Sequence, residues 1–187
     1  MTDIAADKVT IRELVENWAL YRDARLWDRF RAVWHAEGRM MATWFQGGFE
    51  EFIKVNDEGW VRGVRILHFL GGSAIEVSGH RGIAQTKMTI SQRAPVEGVI
   101  CDVLCTGRFY DFFEKRDGRW AIAKRVCTAE WRTTPSSHLP DRGIAAVIPP
   151  IIVSQDRDDV SYVRPLALRL ATPDDDDHEA TDGGTRA

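Results

Sequence analysis

Between Val64 and Thr133 the chain is a nearly unbroken series of strand-type runs, and nothing else in it constrains the fold as tightly. Val, Ile, Thr, Phe and Trp recur in segments near 64–70, 73–77, 81–92, 99–115 and 119–133, parted by short Gly-bearing turns. This predicts a meander of antiparallel strands. Asp117-Gly118 is the pair a two-residue hairpin favours, because both turn positions need φ > 0. Two of the runs are too long to lie flat, so they are expected to bend through bulges into a half-open cone.

The segment before the meander has helical spacing. Ile11, Leu14, Val15 and Trp18 share one face of an amphipathic helix that runs to about Arg22, with Asp23 at its end. Trp27, Phe30 and Trp34 repeat the period for a short second helix, which Gly38 breaks. Residues 40–45 read as a strand ended by Gly47 and Gly48. Phe49, Phe52, Ile53 and Asn56 mark a third helix, closed by Gly59 and Gly63. Three helices followed by a sheet is an α+β order. Residues 1–134 are therefore expected to form one α+β cone domain, a curved antiparallel sheet covered by three N-terminal helices. An extended arm follows over 135–172, its apolar patches at 144–153 and 162–170 packing on its own barrel or on a neighbouring subunit. The acidic, Gly-rich end at 173–187 reads as a disordered tail.

Charge narrows the partners. The 25 Lys and Arg are interspersed with 28 Asp and Glu, for a net charge of −3, so no basic stripe awaits nucleic acid. No run approaches membrane-spanning length, and the first nine residues lack the apolar core of a signal peptide. A cytoplasmic location is expected. Cys101 and Cys105 fall on one face of one strand about 13 Å apart, too far for a disulfide. Cys127 leaves an odd count, and no Cys–His spacing suits zinc. No phosphate loop is present either, so no cofactor and no metal are expected.

His68 sits in an apolar strand with Ile66 and Leu70 on its face. It is either a core histidine bonded to a carbonyl or a cavity base. Asp23, between two helices, is either a cap or a partner for that base. Taken together they make a proton-abstraction device, since a carboxylate on one ring N–H fixes the tautomer and leaves the other nitrogen as the base. Arg125, flanked on its face by Ala123 and Cys127, either stabilises an anion or pairs with a buried acid. Trp44, Phe45, Phe52, Phe109 and Trp131 are either plain core or the walls of an aromatic pocket.

Three segments carry a family resemblance. DARLWDRFRAV at 23–33 resembles the helix-loop-helix of scytalone dehydratase, and HFLGG at 68–72 resembles its catalytic histidine with the glycines that follow. KRDGRW at 115–120 is similar to the final hairpin of the wider SnoaL-like group, so the likeness covers roughly residues 5 to 133. It implies the nuclear transport factor 2-like cone and an Asp23–His68 catalytic pair. The same pair occurs in hexachlorocyclohexane dehydrochlorinase, whose anion-stabilising arginine falls on Arg125. The departures are as informative. Arg22 and Ala42 stand where scytalone dehydratase has two tyrosines that hold a water on the substrate carbonyl. Ser91 stands for its second histidine, and Gly107 and Phe109 for a serine and an asparagine that contact substrate. Trp18 replaces the basic or amide residue that precedes the acid in the dehydrochlorinase. Loss of these polar groups points to a less polar, aromatic substrate.

The expectation is therefore a cofactor-independent lyase of the dehydratase type, or an isomerase, acting on a small aromatic or cyclic molecule. His68 is the base, Asp23 its partner and Arg125 the stabiliser, with Trp44, Phe52, Ser91, Phe109 and Trp131 against substrate. Relatives are often trimers or dimers, so a homo-oligomer is expected. Competing readings are the non-catalytic small subunit of an aromatic-ring dioxygenase, an aldol cyclase, and a ligand-binding module.

Overall fold

Asp3 opens the first helix by accepting the N–H groups of Ala5 and Ala6 on one carboxylate oxygen, at 3.0 and 3.2 Å. From there the computed structural model describes residues 3–96 and 98–133. The order is α1 (Ile4–Asp23), α2 (Trp27–Ala32), β1 (Trp34–Ala42), β2 (Phe45–Gly48), α3 (Phe49–Val61), β3 (Arg65–Ser78), β4 (Arg81–Val96), β5 (Val99–Arg116) and β6 (Arg119–Thr133). The six strands form one curved, unclosed sheet in the order β2-β1-β6-β5-β4-β3. All neighbours are antiparallel except β1 and β6, which run parallel. This is the α+β cone expected for a nuclear transport factor 2-like chain. No described helix is long and apolar enough to cross a membrane.

The bends sit where the ladder slips. β3 loses register against β4 between Leu70 and Ser73, and β5 against β6 at Thr106/Gly107 and at Phe112/Phe113. An extra residue on one strand tightens the local twist and curls the sheet. Gly107 is required at its slip, because a Cβ there would lie 1.9 Å from the Thr128 carbonyl oxygen. At the β5–β6 hairpin, Asp117 and Gly118 take φ of 50° and 78°, with Arg116 opposite Arg119. That is the two-residue turn read from the sequence.

Ile11, Val15 and Trp18 on α1 pack with Phe30 and Phe52 against Ala84, Met88, Phe109 and Phe113 of the sheet. Asp7 pins the start of α1 to the final hairpin, accepting from Lys115 Nζ and Trp120 Nε1, each at 2.7 Å.

Several boundaries differ from expectation. Trp34 begins β1 and does not extend α2, while its ring still lies 6.0 Å from Phe30 and stacks on Phe49 at 5.7 Å. Its burial is met equally well from a strand, so helical spacing over three aromatics was a false cue. The expected strand at 40–45 spans the end of β1, a turn and the first residue of the added strand β2, to which Gly47 and Gly48 also belong. The runs at 64–70 and 73–77 are one strand, β3, which carries Gly71-Gly72 as its bulge. The arm expected over 135–172 and the tail over 173–187 lie outside the described residues.

Candidate functional site

The last turn of α1 supplies the acid. Beyond the C-cap Ala24, the Arg25 N–H bonds the Arg22 carbonyl at 3.2 Å and the Leu26 N–H bonds the Tyr21 carbonyl at 2.8 Å. This paired helix ending ordinarily places glycine in the left-handed position, yet Arg25 occupies it with φ 56°. Such a conformation costs roughly 1–2 kcal/mol in an L-residue. Asp57 of α3 holds the corner, accepting from Arg25 Nε at 3.0 Å, Arg25 Nη2 at 2.6 Å and Trp27 Nε1 at 3.0 Å. The direction in which Asp23 leaves the helix is thereby fixed.

β3 supplies the imidazole. Alternation along the strand turns Ile66, His68 and Leu70 inward and Leu67 and Phe69 outward, the latter two 66% and 78% exposed. Asp23 grips His68 twice: Oδ2 accepts its backbone N–H at 2.6 Å and Oδ1 stands 2.7 Å from ring Nδ1. With Nδ1–H donated to the carboxylate, Nε2 is the basic nitrogen, and it has no protein partner among the described residues. The imidazole is 5% exposed, edge-on to Trp18 at 5.4 Å and tilted against Phe109 at 5.9 Å. Burial pushes its pKa below the ordinary 6.5, the bond to Asp23 pulls it partly back, and the charges of Arg22 and Arg125 lower it again. At neutral pH the ring is therefore uncharged and able to accept a proton.

Two connected spaces lie beside it. An inner cleft of about 50 Å³ is walled by His68 with Trp18, Phe52, Ile90, Phe109 and Cys127. An outer pocket of about 280 Å³ is lined by Arg25, Trp27, Asn56, Trp60 and Arg62 among others. Arg22, Trp44, Ile66 and Gln92 line both and form the neck between them. Water occupies roughly 30 Å³ in the liquid, so the inner cleft admits the reacting end of a molecule and no more. Burial pushes the Cys127 thiol up to about 12, so that side chain is a neutral wall and not a nucleophile. Among the described residues no three His, Cys, Asp or Glu side chains come together as a metal site.

Arg125 is placed behind this wall. It is fully buried and forms a bidentate pair with Asp111, its direct neighbour across the β5–β6 ladder, at 2.5 and 2.7 Å. Its guanidinium carbon lies 4.1 Å from the ring centres of both Trp18 and Phe109. It lines neither the cleft nor the pocket. Of the residues singled out from sequence, the structure gathers Asp23, His68, Trp44, Phe52 and Phe109 around this pair of adjoining spaces, Asp23 on the pocket, His68, Phe52 and Phe109 on the cleft and Trp44 on both. Trp44 is half exposed at the mouth, while Phe52 and Phe109 are deep in the wall. Phe45 stands beside Phe52, ring centres 5.5 Å apart. Ser91 lines neither space: strand alternation puts it on the outer side of β4, exposed, in a groove with Leu67, Phe69 and Thr89 that also reaches Asp23 and His68. Trp131 falls in β6 opposite Thr106, with its side chain outside the described residues.

Two polar residues of the neck and pocket, Asn56 and Gln92, carried no functional reading in the sequence, and Arg22 carried one only as the replacement for a tyrosine. Arg22 Nη2 donates to Asn56 Oδ1, and Asn56 Nδ2 donates to the Phe52 carbonyl at 2.6 Å. The available signal was a polar side chain on an otherwise apolar face, as with Gln92 two residues after Ile90.

With this geometry in view, comparison with known proteins gives a consistent answer. The SnoaL-like domain matches residues 3–126. Pea pathogenicity protein 2 of Fusarium vanettenii is 35% identical over 120 residues, 63% of this chain and 52% of that protein. An uncharacterised protein of Emericella nidulans is 31% identical over 118 residues, covering 62% and 50%. The chain spans about half the length of the curated relatives it matches. Among solved structures, a putative scytalone dehydratase from Novosphingobium aromaticivorans superposes with TM-score 0.63 at 18% identity, over 83% of this chain and all of that one. A hexachlorocyclohexane dehydrochlorinase of Novosphingobium barchaimii gives 0.64 at 19%, over 74% and 97%. At these identities the likeness speaks for the fold alone.

Proposed function

Because the chain belongs to the SnoaL-like domain family, we propose that it is a lyase or isomerase that takes a proton from carbon in a small cyclic or aromatic molecule, with His68 as the base. The observation that carries this reading is the double grip of Asp23 on His68, with Nδ1 committed and Nε2 unpartnered at the cleft. Asp23 acts through His68, fixing its tautomer and favouring the imidazolium formed in the reaction. General-base catalysis of this kind contributes about 10²–10⁴-fold. Solved structures of the same fold include a dehydrochlorinase and a putative scytalone dehydratase, whose names denote eliminations. A pure scaffold would have no use for a neutral, buried imidazole held by a carboxylate. We assign Arg125 to the wall and not to the reaction, since Asp111 already neutralises it.

Exchange of carbon-bound hydrogen for deuterium tests this directly. NMR in heavy water would follow a set of cyclic and aryl ketones, β-tetralone among them, with the wild type, His68→Gln and Asp23→Asn. The wild type should accelerate exchange in at least one ketone, and both variants should lose most of that acceleration. Equal rates in all three proteins would end the proposal.

A further inference from the structure

A base that takes a proton from carbon leaves an electron pair on the substrate, and that charge needs a receiving group in the cleft. Arg125 also has a buried nitrogen without a partner, Nη1, but its charge is met by a carboxylate of its own, Asp111, and it lines neither space. Arg22 has no carboxylate to itself. It is 8% exposed, and its Nε is buried without a partner. Nη2 has only the neutral amide of Asn56, and Nη1 stands 3.4 Å from Asp23 Oδ1, the oxygen already committed to the His68 ring. A desolvated guanidinium with an unused donor, sharing an acid that serves another group, is costly unless something else completes it. Its position says what. Arg22 is part of the neck, so a molecule that fills the outer pocket and reaches His68 must pass against it. The other arginines of the outer pocket are engaged in pairs of their own, Arg25 with Asp57 and Arg62 with Glu58.

We infer that Arg22 is the oxyanion-binding residue of this site and that its substrate is an enolisable ring ketone, whose oxygen meets the guanidinium while the neighbouring carbon faces His68. This rests on the base reading for its chemistry. The C–H bond breaks and the proton goes to His68 Nε2. The electron pair forms the carbon–carbon double bond, and the carbonyl π pair moves onto oxygen, where the Arg22 guanidinium donates a hydrogen bond. Return of the proton to another carbon gives an isomerase, and loss of a group from the β-carbon gives a lyase. The flat indoles of Trp44 at the neck and Trp27 and Trp60 in the pocket suit a planar ring body.

Phenolates carry the same conjugated oxygen as an enolate and bind without turnover, so β-naphthol, which reports its ionised form by its red-shifted absorbance, is the probe. Wild type and His68→Gln should both bind the naphtholate at least tenfold more tightly than the neutral naphthol. Arg22→Gln and Arg22→Met should lose that preference, and Arg22→Lys should recover part of it. Circular dichroism confirms that each variant is folded. In the exchange assay, the Arg22 variants should slow β-tetralone exchange by about 10²–10³-fold. Naphtholate preference retained in both neutral Arg22 variants, or absent from the wild type, would overturn the inference. Failure of the base reading looks different, since His68→Gln would then exchange like the wild type while naphtholate binding still followed Arg22.

Discussion

Asp23 holds His68 at two points, the backbone N–H at 2.6 Å and ring Nδ1 at 2.7 Å, although 45 residues separate them in the chain. One carboxylate thus fixes both the strand and the ring it presents. The imidazole is positioned through the backbone of its strand as well as through its ring, and this ties the geometry of the site to the seating of α1 on β3.

Asp23→Asn should lower exchange or turnover by about 10²–10⁴-fold, and it should also move the pH profile. Wild-type kcat/KM should rise with pH through a pKa below 6.5 and then stay level, because burial depresses His68. Asp23 is the influence that raises that pKa. Removing its charge should shift the acid limb further down, so that the variant is slower everywhere yet keeps its plateau to lower pH. A limb that stays in place would show that the titrating group is not His68.

The same depression predicts a stability effect. His68 binds its proton less readily in the folded protein than in the unfolded chain. Acidification from about 6.5 towards the lowered folded pKa therefore favours unfolding, and stability returns as pH rises through that window. His68→Gln cannot titrate. Melting curves between pH 5 and pH 7.5 should show a smaller loss on acidification for the variant than for the wild type. Parallel losses would assign the acid sensitivity to other groups.

The cone and the Asp23–His68 pair were legible for different reasons. Strand alternation in β3 settles which way His68 points, and helix periodicity places Asp23 at the end of α1, so each could be found locally. Trp34 could not, because a run of three spaced aromatics fits a helix face and a helix-to-strand corner equally. Gly71-Gly72 read as a turn for a similar reason: local composition does not tell a bulge from a chain reversal, and only the partner β4 decides. Arg125 could be read only as far as two alternatives, an anion stabiliser or the partner of a buried acid, and the state of Arg22 could not be read locally at all. Which arginine has a carboxylate to itself depends on Asp111 lying across the ladder from one, and on Asp23 being used up by His68 beside the other.

Gly107→Ala should destabilise the fold by about 1–3 kcal/mol or more, the cost of overpacking where the neighbour is rigid. The added Cβ would meet the Thr128 carbonyl oxygen at 1.9 Å and its carbon at 2.9 Å, and both are backbone. Gly71→Ala is the control, since its nearest neighbour is the Lys87 Cβ at 3.3 Å. Urea unfolding should separate the two variants clearly. Equal midpoints would mean that the β6 bulge opposite Gly107 relaxes freely.

Arg125 and Asp111 offer a test of what a buried ion pair contributes here. Asp111→Ala leaves a buried guanidinium without its counter-charge and should cost about 3–5 kcal/mol. Burial raises the pKa of Asp111, and Arg125 offsets only part of that rise. Replacing both, as Asp111→Leu with Arg125→Met, removes two desolvation penalties together and should recover most of the loss. The methionine can keep apolar and sulfur contacts with Trp18 and Phe109 in place of the cation. If Arg125 only supports the wall of the cleft, the double variant should exchange β-tetralone within about tenfold of the wild-type rate. If it stabilises the developing anion, that rate should fall by about 10²–10³-fold while stability is restored. Unfolding midpoints and exchange rates measured on the same preparations therefore decide between a structural and a chemical arginine, and the first outcome leaves Arg22 as the cation that faces substrate.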